Sequence, residues 1–424
     1  MTASKDLSTH PCFNRESAGT CGRVHLPVAP KCNIMCNFCN RKYDCVSETR
    51  PGVTSAVLTP EQAVLYMDKV LEKEPRITVC GIAGPGDPLA NPETMQTIRL
   101  LKDKYPRMLF CLSTNGLALP AHAAELAELG VTHVTVTVTA VDPKIGSRIY
   151  AWVRDGKVIH RGEDAARLLL ERQIEGIKIL KKHGVIVKSN TIVVPGVNDQ
   201  HVIEVSKLLS SLDVDIQNIM PVFPVAETPF AEVPAPSHAL IHGLRDQAQK
   251  LLPQMSHCKR CRADAVGLLG ADHSGELAGL LGDCSRIVPG ADLSARPYVA
   301  VASREGMLVN MHLGEAHKFQ IWKQEGDGFL MVEERWAPEP GSGPQRWEEL
   351  AKMLLDCRAV LVAAYGETPR KVLTSAGILP YACQGLVETA LTEVYGAGDL
   401  SRLKSRRKGL GHACCGGAGG GEGC

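Results

Sequence analysis

From Val24 to Ile219 the sequence alternates short β-branched runs with amphipathic stretches of ten or more residues, and this alternation restricts the chain more than any other feature. Such alternation is the signature of repeated βα units around a parallel sheet. The strands expected are Val24–Pro30, Ile77–Ala83, Met108–Ser113, Thr132–Val138, Val185–Val193 and Val214–Ile219. Helices are expected near Pro60–Lys73, Asn91–Tyr105, Ala121–Leu129, Glu163–Lys182 and Asp199–Leu209, the first opened by a capping Thr59 and Pro60 at its first turn. Six such units either open into a doubly wound sheet or curl into a (β/α) barrel. In both arrangements the chemistry gathers at the C-terminal ends of the strands.

The residues that carry chemistry fall at those ends. Cys32 follows the first strand, Gly84-Pro85-Gly86-Asp87 the second, Ser113-Thr114-Asn115 the third, Thr139 the fourth and Pro195 the fifth. Sixteen cysteines are too many for core packing alone, and their spacing points to metal rather than disulfides. Cys32, Cys36 and Cys39 form a C-x3-C-x2-C triplet on the loop after the first strand. Three thiolates hold three irons of a 4Fe-4S cluster and leave the fourth open to chelate S-adenosylmethionine (SAM). A structural zinc site, with Cys45 as fourth ligand, is the alternative for these thiols. Gly84 and Gly86 let main chain pack closely, and Asp87, Ser113, Thr114, Asn115, Thr139, Asn190 and Thr191 offer polar contacts for a SAM pocket or, more simply, cap turns. Cys258 and Cys261 have a chelating C-x2-C spacing that suits either a cluster or a zinc knuckle. Cys111 can be a ligand or a small core residue, and His25 a ligand or a packed histidine.

At 424 residues the chain exceeds one ordinary hydrophobic core, and its halves differ. The expected order is an N-terminal ligand-bearing segment (1–23), a barrel (24–262), a linker rich in Gly, Ala and Leu (263–296), an α/β domain (297–398) and a Gly/Cys-rich tail (399–424). Forty-seven basic against forty-six acidic residues leave no electrostatic footprint for nucleic acid or an anionic membrane. The basic run Arg402, Lys404, Arg406, Arg407, Lys408 is read as a solvated helix end or tail. A polar amino-terminal stretch and no segment approaching ~20 apolar residues lead to the expectation of a cytoplasmic protein.

Taken together, these blocks resemble the NifB family of radical SAM enzymes in nitrogenase cofactor biosynthesis. The resemblance is carried by His10-Pro11-Cys12, Val28-Ala29-Pro30-Lys31-Cys32-Asn33-Ile34, Cys36 through Cys45, Arg50-Pro51-Gly52-Val53, Gly81 through Asn91, Leu112-Ser113-Thr114-Asn115-Gly116 and Cys258-x-x-Cys261. It implies a radical SAM (β/α) barrel, partial or full, followed by a smaller ribonuclease-H-like α/β domain of the NifX-like kind that binds cofactor precursors. It also implies that two 4Fe-4S clusters are fused, with a SAM-derived carbide and an added sulfur, into the eight-iron precursor of the nitrogenase cofactor. By matching position, Cys12, His25 and Cys111 would hold one substrate cluster and Cys45, Cys258 and Cys261 the other. A histidine ligand suits fusion, because imidazole is readily protonated off the metal. The implied partners are a cluster donor, an electron donor such as a ferredoxin or flavodoxin, and a downstream carrier or scaffold.

Cys21 is an extra thiol near the first set. His412, Cys414, Cys415 and Cys424 are either a cluster-ferrying group or incidental thiols, and Cys80, Cys284, Cys357 and Cys383 are read as structural. Two other functions compete. A peptide maturase with auxiliary clusters would carry a longer run of C-terminal cysteines, and a non-catalytic iron–sulfur scaffold would leave the SAM-pocket loop without a purpose.

Overall fold

A computed structural model describes residues 7–47, 52–258, 260–287, 296–339 and 343–396. Arg50-Pro51, the basic run and the tail with its cysteines lie outside the described residues. The chain divides into two units, 1–285 and 286–424.

In the first unit the elements in chain order are β1 (Gly22–His25), β2 (Ile34–Cys36), α1 (Pro60–Lys73), β3 (Ile77–Ile82), α2 (Pro92–Lys104), β4 (Leu109–Thr114), α3 (Leu119–Glu128) and β5 (Val131–Thr137). They continue with α4 (Pro143–Ile149), β6 (Tyr150–Asp155), β7 (Val158–His160), α5 (Gly162–Lys182), β8 (Ile186–Val193), α6 (Val202–Ser211), β9 (Ile216–Pro221), α7 (His238–Ala248), β10 (Val266–Leu268), β11 (Ala271–Asp272) and α8 (Ala278–Arg286). Six strands run parallel in the order β1-β3-β4-β5-β8-β9, so the expected βα series forms, as a partial barrel whose end strands do not pair with each other. Helix α1 starts as its sequence dictates, because Thr59 and Gln62 close a reciprocal capping box ahead of Pro60.

Two parts differ from expectation. The stretch from Ala263, expected as the start of a linker, belongs to the first unit: β10 adds antiparallel to β1, with Arg23 opposite Gly267, and β11 pairs with β10. Buried Ala263, Ala265, Val266 and Leu281 explain why this segment stays on the sheet. The second difference is a three-stranded sheet, β2-β6-β7, in which Cys36 of the triplet faces Tyr150 across the ladder.

The second unit contains β12 (Tyr298–Val301), β13 (Leu308–Val309), β14 (Lys318–Glu325), β15 (Gly328–Trp336), α9 (Pro344–Met353), β16 (Cys357–Val362), α10 (Glu367–Ser375), β17 (Leu379–Ala382), β18 (Gly385–Leu386) and α11 (Val387–Tyr395). Its sheet runs β15-β14-β12-β16-β17 with β14 alone antiparallel, the strand order of a ribonuclease-H-like fold. Two apolar cores flank it, one with Phe319, Ile321, Leu354 and Val362, the other with Val299, Leu361 and Leu391. Cys80, Cys284, Cys357 and Cys383 are all buried, as expected of packing residues. Among the described residues no helix is long and apolar enough to cross a membrane.

Candidate functional site

Two cavities inside the first unit collect nearly all of the chemistry-bearing residues. One is lined by Cys32, Cys36 and Cys39 together with Arg41, Cys45, Ser47, Asp87, Asn115, Thr137, Thr139 and Tyr150. The other brings Cys12, His25, Cys111, Cys258 and Cys261 to one space with His10, Ser113, Lys188, Asn190 and Arg260.

The triplet loop is fixed from behind. Gly86 lies so close to it that a Cβ there would stand 2.1 Å from the Lys31 carbonyl oxygen, so the missing side chain admits the Cys32 loop. The Asp87 backbone N–H donates to the same oxygen at 2.8 Å, and Asn91 clasps Lys31 through both its N–H and its carbonyl. Cys36 is buried with Phe38, Ile34 and Tyr150 in an apolar cluster against which Cys32, Cys39 and Cys258 pack. Asn115 donates to Asn33 at 2.7 Å and reaches Cys32 Sγ at 3.9 Å, while Gln173 of α5 donates to the Asn115 and Thr137 carbonyls. Burial pushes the Cys32 thiol up to about 12, helped by nearby Asp87, and raises Cys39.

Asp87 ties the second strand end to the third. Its carboxylate accepts from Asn115 N at 2.6 Å, Thr114 Oγ1 at 3.0 Å and Leu89 N at 2.9 Å. Burial outweighs these bonds and pushes its carboxyl up to about 6. The folded chain therefore binds this proton more tightly than the unfolded chain, whose carboxyl titrates near ~4. Stability from this group falls as pH rises from about 4 to about 6 and is flat above. Asp87→Asn is expected to lose that slope, read as the difference in urea midpoint from the parent at about pH 4 and about pH 7.

The second cavity is organised by strand register. His25 of β1 is level with Gly81 of β3, Gly81 with Cys111 of β4, and Cys111 with His133 of β5, so these four form one row. Their neighbours Val24, Cys80, Phe110 and Val134 belong to the core cluster that also holds residues of α1, α2 and α3, so the row occupies the opposite face. Gly81 lets His25 and Cys111 approach each other: a Cβ there would lie 2.9 Å from the His25 ring and 3.1 Å from Cys111 Sγ. His25 Nδ1 pairs with the Arg262 carbonyl at 2.9 Å, which sets that nitrogen as donor and leaves Nε2 with its lone pair. Burial and Arg23 lower its pKa to about 4, so the ring is neutral, the form that binds metal.

Cys12 arrives from the N-terminal segment, which is tied to the Cys258 side by His257 Nε2 and the Pro11 carbonyl at 3.0 Å. Arg260 sits in the left-handed region and its N–H donates to Cys258 Sγ at 3.4 Å. Arg23 Nε donates to Cys261 Sγ at 3.3 Å, and Asp272 of β11 stands 3.7 Å from the same guanidinium. Burial raises the Cys12 and Cys111 thiols to about 12.

The residues fit iron–sulfur clusters by donor chemistry: soft thiols, one neutral imidazole and cations nearby. Among the described residues no three His, Cys, Asp or Glu side chains converge as the ligands of a single ion do, whereas a cluster with one ligand per iron sets them apart. The proposed sets are not equally assembled. Cys12, His25 and Cys111 share one cavity, but Cys45 lines the triplet's cavity while Cys258 and Cys261 line the other. Of the SAM-pocket residues, Asp87, Asn115 and Thr139 line the triplet's cavity, Ser113 and Asn190 the second, and Thr114 is spent on Asp87. Cys21 lines neither. His10 and Gly81 stand in the blocks that carry the family resemblance but received no site role from the sequence, and Arg23 and Lys188 were passed over, although a lysine inside the run Val185-Ile-Val-Lys188-Ser-Asn was a visible signal.

The Radical SAM superfamily profile matches residues 26–209, and the "Dinitrogenase iron-molybdenum cofactor" profile matches residues 296–397. With the partial barrel and the triplet at its first strand, the first match defines a radical SAM protein, and the second gives it a NifX-like second domain. A protein of Chlorobaculum tepidum called FeMo cofactor biosynthesis protein NifB is 50% identical over 98% of this chain and 99% of its own. Proteins of the same description from Klebsiella pneumoniae and Azotobacter vinelandii are 38% and 36% identical, covering 88% and 92% of this chain and 86% and 88% of theirs. The chain belongs to the NifB family of FeMo cofactor biosynthesis proteins.

Proposed function

We propose that this protein fuses two 4Fe-4S substrate clusters and inserts a SAM-derived carbide, with an added sulfur, to make the eight-iron precursor of the nitrogenase cofactor. The observation that carries this reading is the meeting of Cys12, His25, Cys111, Cys258 and Cys261 round one cavity, in the same unit as the triplet. When bound, the triplet's cluster and SAM supply a methyl group for transfer and a deoxyadenosyl radical for hydrogen abstraction. Cys32, Cys36 and Cys39 hold that cluster, and Asp87, Asn115 and Thr139 line the space beside it. Gly84 and Gly86 shape the same loop, while Ser113 and Asn190 extend the polar lining toward the second cavity.

Cys12, His25 and Cys111 take the first substrate cluster. His25, neutral and oriented through Nδ1, is the ligand that releases on protonation. Cys45, Cys258 and Cys261 take the second and span the two cavities. The NifX-like domain receives cofactor precursors. A cluster donor, a ferredoxin or flavodoxin as electron source, and a downstream carrier complete the set of partners.

Anaerobic reconstitution followed by SAM addition tests this. The expected result is about twelve irons per chain, as three clusters of four, and release of both S-adenosylhomocysteine and deoxyadenosine. About four irons or fewer, or zinc in place of iron, would overturn the three-cluster reading. Full iron without either SAM product would favour a scaffold.

A further inference from the structure

The second cavity holds two polar side chains that its ligands do not account for. Lys188 of β8 is only 8% exposed, and among the described residues it has no carboxylate partner. Its Nζ lies 5.4 Å from the centre of the Phe13 ring, and the ligands Cys12, His25 and Cys111 lie within its electrostatic reach. His10 is 1% exposed, and its Nδ1 accepts the backbone N–H of Cys12 at 3.2 Å. A neutral ring that accepts at Nδ1 carries its proton on Nε2. That Nε2 is buried and has no hydrogen-bond partner. The ring is held in place by Phe13 and His133, whose centroids stand 4.7 and 4.3 Å away.

A buried cation without a counter-ion and a buried donor without an acceptor each cost free energy, the donor about 1–3 kcal/mol. One kind of occupant removes both costs: an anion that presents several acceptor atoms. An iron–sulfur cluster with thiolate ligands is such an anion, since its sulfides accept hydrogen bonds and its net charge is negative. Cys12, His25 and Cys111 line the same cavity as these two groups.

We propose that His10 and Lys188 are positioning residues for the substrate cluster of Cys12, His25 and Cys111, His10 donating its Nε2–H to a cluster sulfide and Lys188 offsetting the cluster's charge. This rests on the function proposed above, in which those three residues hold a substrate cluster. Because the Cys12 backbone fixes the His10 tautomer, one short turn supplies both a ligand and a donor. Neither residue lines the triplet's cavity, so their influence falls on one cluster and not on the SAM cluster.

The test uses the full chain, reconstituted anaerobically, as parent, His10→Phe, His10→Asn, Lys188→Met and Lys188→Arg. Iron content and a redox titration followed by electron paramagnetic resonance are read for each. Removing a donor or a positive charge makes a cluster harder to reduce. His10→Phe and Lys188→Met are therefore expected to lower the potential of the Cys111-dependent cluster by at least the ~59 mV of a tenfold change in a one-electron equilibrium, or to lose that cluster. The triplet's signal stays in place. Lys188→Arg keeps the charge and His10→Asn keeps an N–H, so both are expected to recover most of the effect. A Cys111-dependent cluster whose potential and occupancy match the parent in His10→Phe and Lys188→Met overturns this proposal alone. A parent whose spectra do not change on Cys111→Ala holds no cluster there, and overturns the proposed function together with it.

Discussion

Cys36→Ala is expected to abolish deoxyadenosine release, by roughly a thousandfold or more, the scale on which a chemical step is lost rather than tuned. Iron should fall from about twelve to about eight per chain, one cluster of four. Cys36 is the thiol of the triplet that secondary structure fixes, since β2 pairs with β6 and sets it opposite Tyr150. It is also the most enclosed, among Ile34, Phe38 and Val153. Cys45 is the other thiol lining that cavity, and its backbone N–H is committed to the Pro85 carbonyl at 2.9 Å. Chromatography of SAM products beside an iron assay reads both effects. Retained SAM cleavage at parent iron would remove the triplet from its assigned role.

The second large effect is expected from Gly81→Ala, the addition of one methyl group. A Cβ there would stand 2.9 Å from His25 Cδ2, 3.2 Å from His25 Nε2 and 3.1 Å from Cys111 Sγ. Overpacking of this kind costs about 1–3 kcal/mol. Relief requires turning His25 away from the Arg262 carbonyl or displacing Cys111, and either movement dismantles the ligand row. The expected result is loss of the first substrate cluster, about eight irons remaining, with SAM binding by the triplet retained. Iron counting together with the disappearance of a nitrogen-coupled cluster signal would show it. A variant with full iron and an unchanged nitrogen coupling would mean that His25 is not a ligand.

The sequence made the parallel strands and most of the helices legible because each carries a continuous apolar run or a 3.6-residue period. Helix α1, with Thr59, Pro60 and Gln62 in place, was readable to the residue. Apart from α7, what escaped is mostly short. Strands β6 and β7 join through Asp155-Gly156-Lys157, a turn signal between exposed residues, and the stretch after Ala263 opens on the three- and two-residue strands β10 and β11 before the short helix α8. Such segments take their structure from a neighbour's free edge, here β1, rather than from their own pattern. The ligand types were legible by chemistry, but Gly81 was not, because its role is to leave room between two residues on different strands.

The β10–β11 hairpin bears on how the site comes into being. Arg23, whose Nε meets Cys261 across 238 residues of sequence, also donates to the Leu268 carbonyl at 3.0 Å, so the edge of β1 is completed by chain made long after it. The triplet's cavity is lined by residues no later in the chain than Tyr150, whereas the second cavity must wait until Cys258, Cys261 and Leu269 have been synthesised. Contacts of such long range form late in folding. Synthesis thus delivers the walls of the triplet's cavity about a hundred residues ahead of the last walls of the second, and whatever the second cavity receives is a task for the finished first unit rather than for the nascent chain.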